Sequence, residues 1–110
     1  MGVTKEEIFT EEQNKIARIA KVIGHPARVA ILQYLIKTNS CVCGDLVEEI
    51  GLAQPTISQH LKELKNLGVI KGTISGTSVC YCIDAENWQK LTTSLVNLIN
   101  LTPSSNTDCC

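Results

Sequence analysis

The sequence predicts a mainly α domain with a small β wing: about five helices and one β-hairpin. Three observations predict it. Apolar residues recur at three- and four-residue spacing through most of the chain, which is the helical period. Residues that start helices (Thr10, Pro26, Asp84) and residues that stop them (Gly24, Gly51, Gly68) punctuate those stretches. Two β-rich runs flank Ser75-Gly76. The chain has 110 residues, 44% of them apolar, which suits one domain with an ordinary small core. That length excludes a two-domain enzyme with an interdomain cleft.

Thr10 followed by Gln13 is a capping-box pattern and opens a helix over about residues 11–23. Its apolar positions Ile16, Ile19, Ala20 and Ile23 share one side. Gly24 ends it, and His25-Pro26 starts a second helix over residues 27–37 with proline at its first position. Val29, Ala30, Ile31, Leu32, Leu35 and Ile36 make this helix apolar on most sides, so it belongs in the middle of the core. After the polar break Thr38-Asn39-Ser40, Cys41-Val42-Cys43 alternates as a short strand does.

Asp45 to Ile50 reads as a short helix closed by Gly51. Gln54 to Leu67 reads as a longer one, with Ile57, Leu61, Leu64 and Leu67 as its buried stripe. Only Gly51-Leu52-Ala53 separates the two, the spacing of a helix-turn-helix. Val69 to Ile74 and Thr77 to Ile83 form the hairpin. Asp84 then caps a last helix striped by Trp88, Leu91, Leu95, Leu98 and Ile99. Residues 1–102 thus read as a winged helix-turn-helix with an extra helix at each end. Residues 103–110 form a polar tail, expected to be flexible, that ends in Cys109-Cys110.

The start of the second helix of such a motif enters the DNA major groove. Gln54, Thr56, Ser58, Gln59 and His60 stand there, all able to hydrogen-bond to base edges or phosphates. Lys62, Lys65 and Lys71 follow where phosphates would lie. Net charge over the whole chain is −1, yet residues 54–72 carry three lysines against Glu63, while residues 1–14 carry Lys5 against Glu6, Glu7, Glu11 and Glu12. Phosphate neutralisation depends on the local surface, so a near-neutral chain is compatible with double-stranded DNA as a partner. A dimer would double the contacts and set two reading helices about 34 Å apart.

Six cysteines in so short a chain are unusual. The N-terminus lacks the basic-then-apolar pattern of a secretory signal, and Glu6 stands where a myristoylation motif needs Ser or Thr. Apolar runs such as Val29-Ala30-Ile31-Leu32 fall far short of the roughly 20 residues of a membrane span. The expected compartment is the cytoplasm, where clustered thiols serve metal or redox chemistry more often than structural disulfides. The spacings contain no Cys-x-x-Cys, which speaks against a zinc knuckle and against a thioredoxin-like motif.

Three segments together resemble the ArsR-type (arsenic-repressor) winged-helix transcription factors. They are Gly24-His25-Pro26-Ala27-Arg28-Val29-Ala30-Ile31-Leu32, Cys41-Val42-Cys43-Gly44-Asp45-Leu46, and the run from Gly51 to Leu64 that contains Gln54-Pro55-Thr56-Ile57-Ser58-Gln59-His60. The similarity extends from about Glu11 to Leu101. It implies a cytoplasmic homodimer that represses transcription from an operator and leaves it when an inducer reaches thiols or other ligands. It also implies dimer contacts from the first and last helices, here Ile16, Ile19 and Ile23 with Trp88, Leu91, Leu95 and Leu98. The chain departs from the family in three places. Ala53 stands where relatives carry Ser, the wing has few basic residues, and the last helix offers Asn87, Gln89 and Lys90 where zinc-sensing relatives carry His and Asp.

Cys41-x-Cys43 is similar to the family's arsenic-binding pair, but Gly44 intervenes before Asp45-Leu46 and the usual further cysteine is replaced by Val47. Strand geometry offers another arrangement. In a winged helix the short strand before the third helix pairs with the last wing strand, and residues i and i+2 of a strand share a face. With Val42, Val79, Tyr81 and Ile83 facing the core, Cys41, Cys43, Cys80 and Cys82 face outward as neighbours. They could hold arsenic(III), antimony(III) or a soft metal ion as inducer, with no obligatory cofactor, and Cys109 or Cys110 could add a thiolate. Reversible disulfide formation is the alternative switch, and a protein-interaction module without inducer is the other reading. A thiol enzyme would need a base beside its nucleophile, and the chain's two histidines, His25 and His60, fall at helix-start and reading-helix positions.

Overall fold

Helix boundaries fall where the sequence supplies partners for the unpaired backbone groups. The structure is a computed structural model and describes residues 5–42, 44–76 and 78–103. The expected ligands Cys43, Cys109 and Cys110 lie outside the described residues. A single turn, α1 (Lys5–Ile8), comes first, too short to have left a periodic signature. In α2 (Glu11–Ile23) the capping box is complete: Gln13 N donates to Thr10 Oγ1 at 3.0 Å and Thr10 N donates to Gln13 Oε1 at 3.0 Å.

His25 caps α3 (Pro26–Thr38), its Nδ1 accepting from Ala27 N at 3.2 Å. Ile31, Leu32 and Leu35 are buried, so α3 does run through the core. Its other side is open: Val29 is 42% and Ile36 47% exposed, against the expectation of a helix covered on most sides. The short α4 (Leu46–Ile50) ends at Gly51, whose φ of 83° is a left-handed conformation that favours glycine and turns the chain into α5 (Gln54–Leu67). Asp84 caps α6 (Ala85–Ile99), accepting from Asn87 N at 3.2 Å.

Strands β1 (Ile70–Ser75) and β2 (Ser78–Ile83) pair antiparallel, Ile70 opposite Ile83 and Ser75 opposite Ser78. Gly72 eases packing inside β1, because a Cβ there would meet the side chains of Tyr81 and Val79 at 3.3 Å and oblige them to shift. Val42 joins this hairpin as expected, exchanging two backbone hydrogen bonds with Tyr81 at 2.8 and 2.9 Å. The core unites Ile31, Leu35, Val42, Leu46, Ile57 and Leu64 with their neighbours; α2, whose Ile19 is fully buried, packs against α6. This is the winged helix-turn-helix. Among the described residues no helix is long and apolar enough to cross a membrane.

Candidate functional site

The buried positions of α5 (Ile57, His60, Leu61 and Leu64) recur at helical spacing and fix which side faces outward. At about 100° per residue, Pro55, Gln59, Lys62 and Asn66 point away from the core, with Thr56 on one flank and Gln54, Ser58 and Lys65 on the other. Gln54 and Ser58 line a groove of about 330 Å³ shared with Val79 and Tyr81 of the wing. Within the helix Gln54 Nε2 donates to Ser58 Oγ at 3.0 Å, and Gln59 Nε2 donates to Glu63 Oε1 at 3.2 Å. Lys62, Lys65 and Lys71 are exposed. The structure therefore brings Gln54, Thr56, Ser58, Gln59, Lys62 and Lys65 to the outward half of α5, while Lys71 stands opposite Cys82 on the other face of the hairpin from Gly72, beside which Lys65 Nζ lies.

His60 does not join them. Expected on the DNA-facing side, it is only 8% exposed and turns inward, because its position falls on the buried stripe of α5. Arg28 Nε donates to His60 Nδ1 at 3.0 Å, and Arg28 Nη1 donates to Val22 O at 3.0 Å. The rings of His25 and His60 lie 4.5 Å apart at 59°. Burial first, then the charges of His25 and Arg28, hold the His60 pKa below its ordinary value of 6.5. His60 is thus a neutral acceptor that, through Arg28, ties the reading helix to the α2–α3 junction. Sequence reasoning missed Arg28. Its signal was a cation in the first turn of a largely apolar helix, three residues after His25.

The Val42–Tyr81 bridge sets position 41 opposite position 82 in a pair that exchanges no backbone hydrogen bonds, the kind whose side chains approach most closely. Cys41 and Cys82 accordingly face each other, and the neighbouring Cys41 thiol, as a hydrogen-bonding group and with burial, pushes the Cys82 pKa above its ordinary value of 9.0. Both are free thiols, Cys41 exposed and Cys82 partly buried. Cys80 departs from the expectation. It is 4% exposed rather than outward-facing, and it is disulfide-bonded rather than a free thiol. Val79, expected in the core, is 45% exposed beside the wing groove. Among the described residues no group of three or more His, Cys, Asp or Glu side chains is gathered as a metal site.

The stripes expected to form a dimer interface are divided by the fold. Ile19 is fully buried within the chain, Ile23, Trp88 and Leu91 pack against the core, and Ile16 and Leu95 are half-buried. Leu98 remains 48% exposed, with Val96, Ile99 and Leu101 near it in sequence. Ile8 and Phe9 at the other terminus are also exposed.

Comparison with known proteins agrees with this architecture. The profile of the family described as bacterial regulatory protein, arsR family, matches residues 25–71, which run from the cap of α3 into β1. An HTH-type transcriptional regulator of Methanocaldococcus jannaschii is 42% identical over 74 residues, covering 66% of this chain and 82% of that protein. A cadmium resistance transcriptional regulatory protein CadC homolog of Staphylococcus aureus is 32% identical over 88 residues, covering 79% of this chain and 72% of that one. The solution structure of a homodimeric winged helix-turn-helix DNA-binding domain from Mycobacterium bovis superposes with a TM-score of 0.64 at 23% identity, covering 89% of this chain and 87% of that one. With the reading helix, wing and bridge strand in place, the chain belongs to the arsR family of bacterial regulatory proteins, DNA-binding regulators of transcription and not enzymes.

Proposed function

We propose that the protein is a homodimeric repressor that holds double-stranded operator DNA and leaves it when a thiophilic metalloid or metal ion, with arsenite or an organoarsenical favoured, is bound by cysteine thiolates. The observation that carries this reading is the placement of Cys41 opposite Cys82 across the Val42–Tyr81 bridge, both lining one groove. Gln54, Thr56, Ser58 and Gln59 read bases while Lys62, Lys65 and Lys71 neutralise phosphate. Dimerisation uses the exposed apolar residues of α6 with Ile8 and Phe9, in line with the homodimeric M. bovis domain. Cytoplasmic location follows from DNA as the partner.

The thiol pair is well placed to influence the reading helix. Cys41 adjoins Val42, which is buried in the same core cluster as Leu46 of α4 and Ile57 of α5. A ligand that binds the DNA-free dimer more tightly than the bound one weakens operator binding by the same factor. The facing of two free thiols, Cys41 and Cys82, favours a second reading, in which their oxidation to a disulfide is the signal. One titration separates the two. Operator DNA from upstream of the gene is bound, and then arsenite, antimonite, cadmium or peroxide is added. Release by the metalloid or metal under nitrogen supports the first reading. Release by peroxide alone, reversed by a dithiol, supports the second.

A further inference from the structure

The wing carries an apolar tip. Between Ile70 and Ile83 the only charged residue is Lys71. Strand alternation puts Ile70, Gly72 and Ile74 on one face with their partners Ile83, Tyr81 and Val79, and leaves Lys71 on the other. At the root of the hairpin that face is covered, Ile70 being 3% exposed. At the tip it is bare: Ile74 is 80% and Val79 45% exposed, and the two are directly opposed cross-strand neighbours. Single exposed apolar residues need no explanation, but this pair stands on the side that looks toward α5. Two observations fix that direction. Val79 and Tyr81 share the recess of about 330 Å³ with Gln54 and Ser58 of the reading helix. A Cβ on Gly72 would lie 3.6 Å from Lys65 Nζ, so the ammonium group from α5 reaches over the same face.

We propose that Ile74 and Val79 form an apolar wedge that enters the DNA minor groove next to the major-groove segment held by α5, and that they select sites lacking the guanine 2-amino group there. A helix in the major groove has a minor groove across one sugar–phosphate strand on either side. That strand fits the recess between α5 and β2. Gln54, Ser58 and Ser78 offer it hydrogen-bond donors, and Lys65 supplies the cation that the inner face of the wing lacks. The hairpin tip then stands beyond the strand, with Ile74 and Val79 toward deoxyribose and base edges. Apolar side chains are the usual wedges of minor-groove binders. The selection follows from what this wedge would cover. Each G·C pair sets a 2-amino donor on the minor-groove floor, and an A·T pair sets none. Beside Ile74 that donor would be crowded, and it would lose water without gaining an acceptor. This inference rests on the operator-binding reading above and adds to it a specificity that no charged residue provides.

The test uses the full chain and DNA from upstream of the gene, trimmed to the segment that the protein protects from hydroxyl-radical cleavage. In one duplex every adenine flanking the two major-groove half-sites is replaced by 2,6-diaminopurine, which adds the 2-amino group. In another every flanking guanine is replaced by hypoxanthine, which removes it. Neither change alters the major-groove edge. Wild type should bind the diaminopurine duplex about tenfold more weakly than the hypoxanthine duplex. Ile74→Thr with Val79→Thr keeps β-branched side chains at two exposed positions. This variant should bind the natural duplex about tenfold more weakly, with the slope of log K against log salt unchanged, and should no longer distinguish the two altered duplexes. Equal binding of those duplexes by wild type overturns the proposal. So does a double variant that is folded by circular dichroism and binds with wild-type affinity, or one whose salt slope becomes shallower, because phosphate contact would then account for the loss. No inducer is present, so the thiol response is tested apart. A wild type that distinguishes the duplexes but is released by no metalloid, metal or oxidant upholds the wedge, and it is the regulatory reading that fails.

Discussion

Arg28 is the residue whose removal should disturb this fold most for a side chain that is not apolar. Arg28→Met keeps much of the side chain's apolar length and removes the guanidinium that bonds His60 Nδ1 and Val22 O, each at 3.0 Å. Each hydrogen bond contributes about 1 kcal/mol net, and a buried acceptor left unpaired costs a further 1–3 kcal/mol or so. His60 is that acceptor, at 8% exposure. The two effects together predict a loss of about 3–5 kcal/mol, a fall in melting temperature of roughly 15–25 °C. Urea unfolding of wild type and variant at one protomer concentration measures it, since a dimer's stability depends on concentration. His60→Leu in the Arg28→Met background should recover part of the loss, because it removes the stranded acceptor. A single-variant loss below about 0.5 kcal/mol would refute the reasoning, as would a double variant less stable than Arg28→Met.

The same pair gives a pH dependence. His60 has a folded-state pKa held below 6.5 by burial, His25 and Arg28, so its contribution is whole above that value and lost as the pH falls through the folded-state pKa. Unfolding midpoints should drop on acidification from pH 7 to pH 5 in the wild type and drop less in His60→Gln. Ala53 occupies the N-cap of α5 without a side-chain bond, so Ala53→Ser should stabilise by about 1 kcal/mol in thermal melts. For operator binding, Lys62→Gln should weaken affinity for every sequence alike and lower the slope of log K against log salt by about 2 per dimer, one phosphate contact in each protomer. Leu98→Asp with Ile99→Asp should give monomers in sedimentation analysis with helix content unchanged, since both side chains are exposed at 48% and 69%.

What could be read from the sequence was what is decided locally. The capping box of Thr10 and Gln13, the proline start of α3 and the cap at Asp84 need only neighbours within one turn, and each forms as read. Pairing of the short strand with the last wing strand was expected from winged-helix geometry and alternation set Val42 and Tyr81 inward, but their register across the bridge came only with the structure. His60 was misread because a polar side chain was assigned to the outer face by its chemistry. Its spacing from Ile57, Leu61 and Leu64 already placed it inside. Cys80 failed for another reason. Alternation tells which residues of a hairpin share a face and does not tell whether the second face is covered. The thiol groove was out of reach of the sequence, since it joins Ile36, Cys41 and Trp88 from three segments that only the tertiary fold brings together.

The measurement that tests the account most directly is operator affinity with and without a thiophilic inducer, in wild type and in Cys41→Ser and Cys82→Ser. All three proteins should bind the operator equally well without inducer, because neither thiol touches the reading helix. The inducer should weaken wild-type binding by something like 5–150-fold and leave the two serine variants bound. Release that persists in both variants, or a wild-type affinity that no metalloid or metal changes, would contradict the central claim that Cys41 and Cys82 carry the signal.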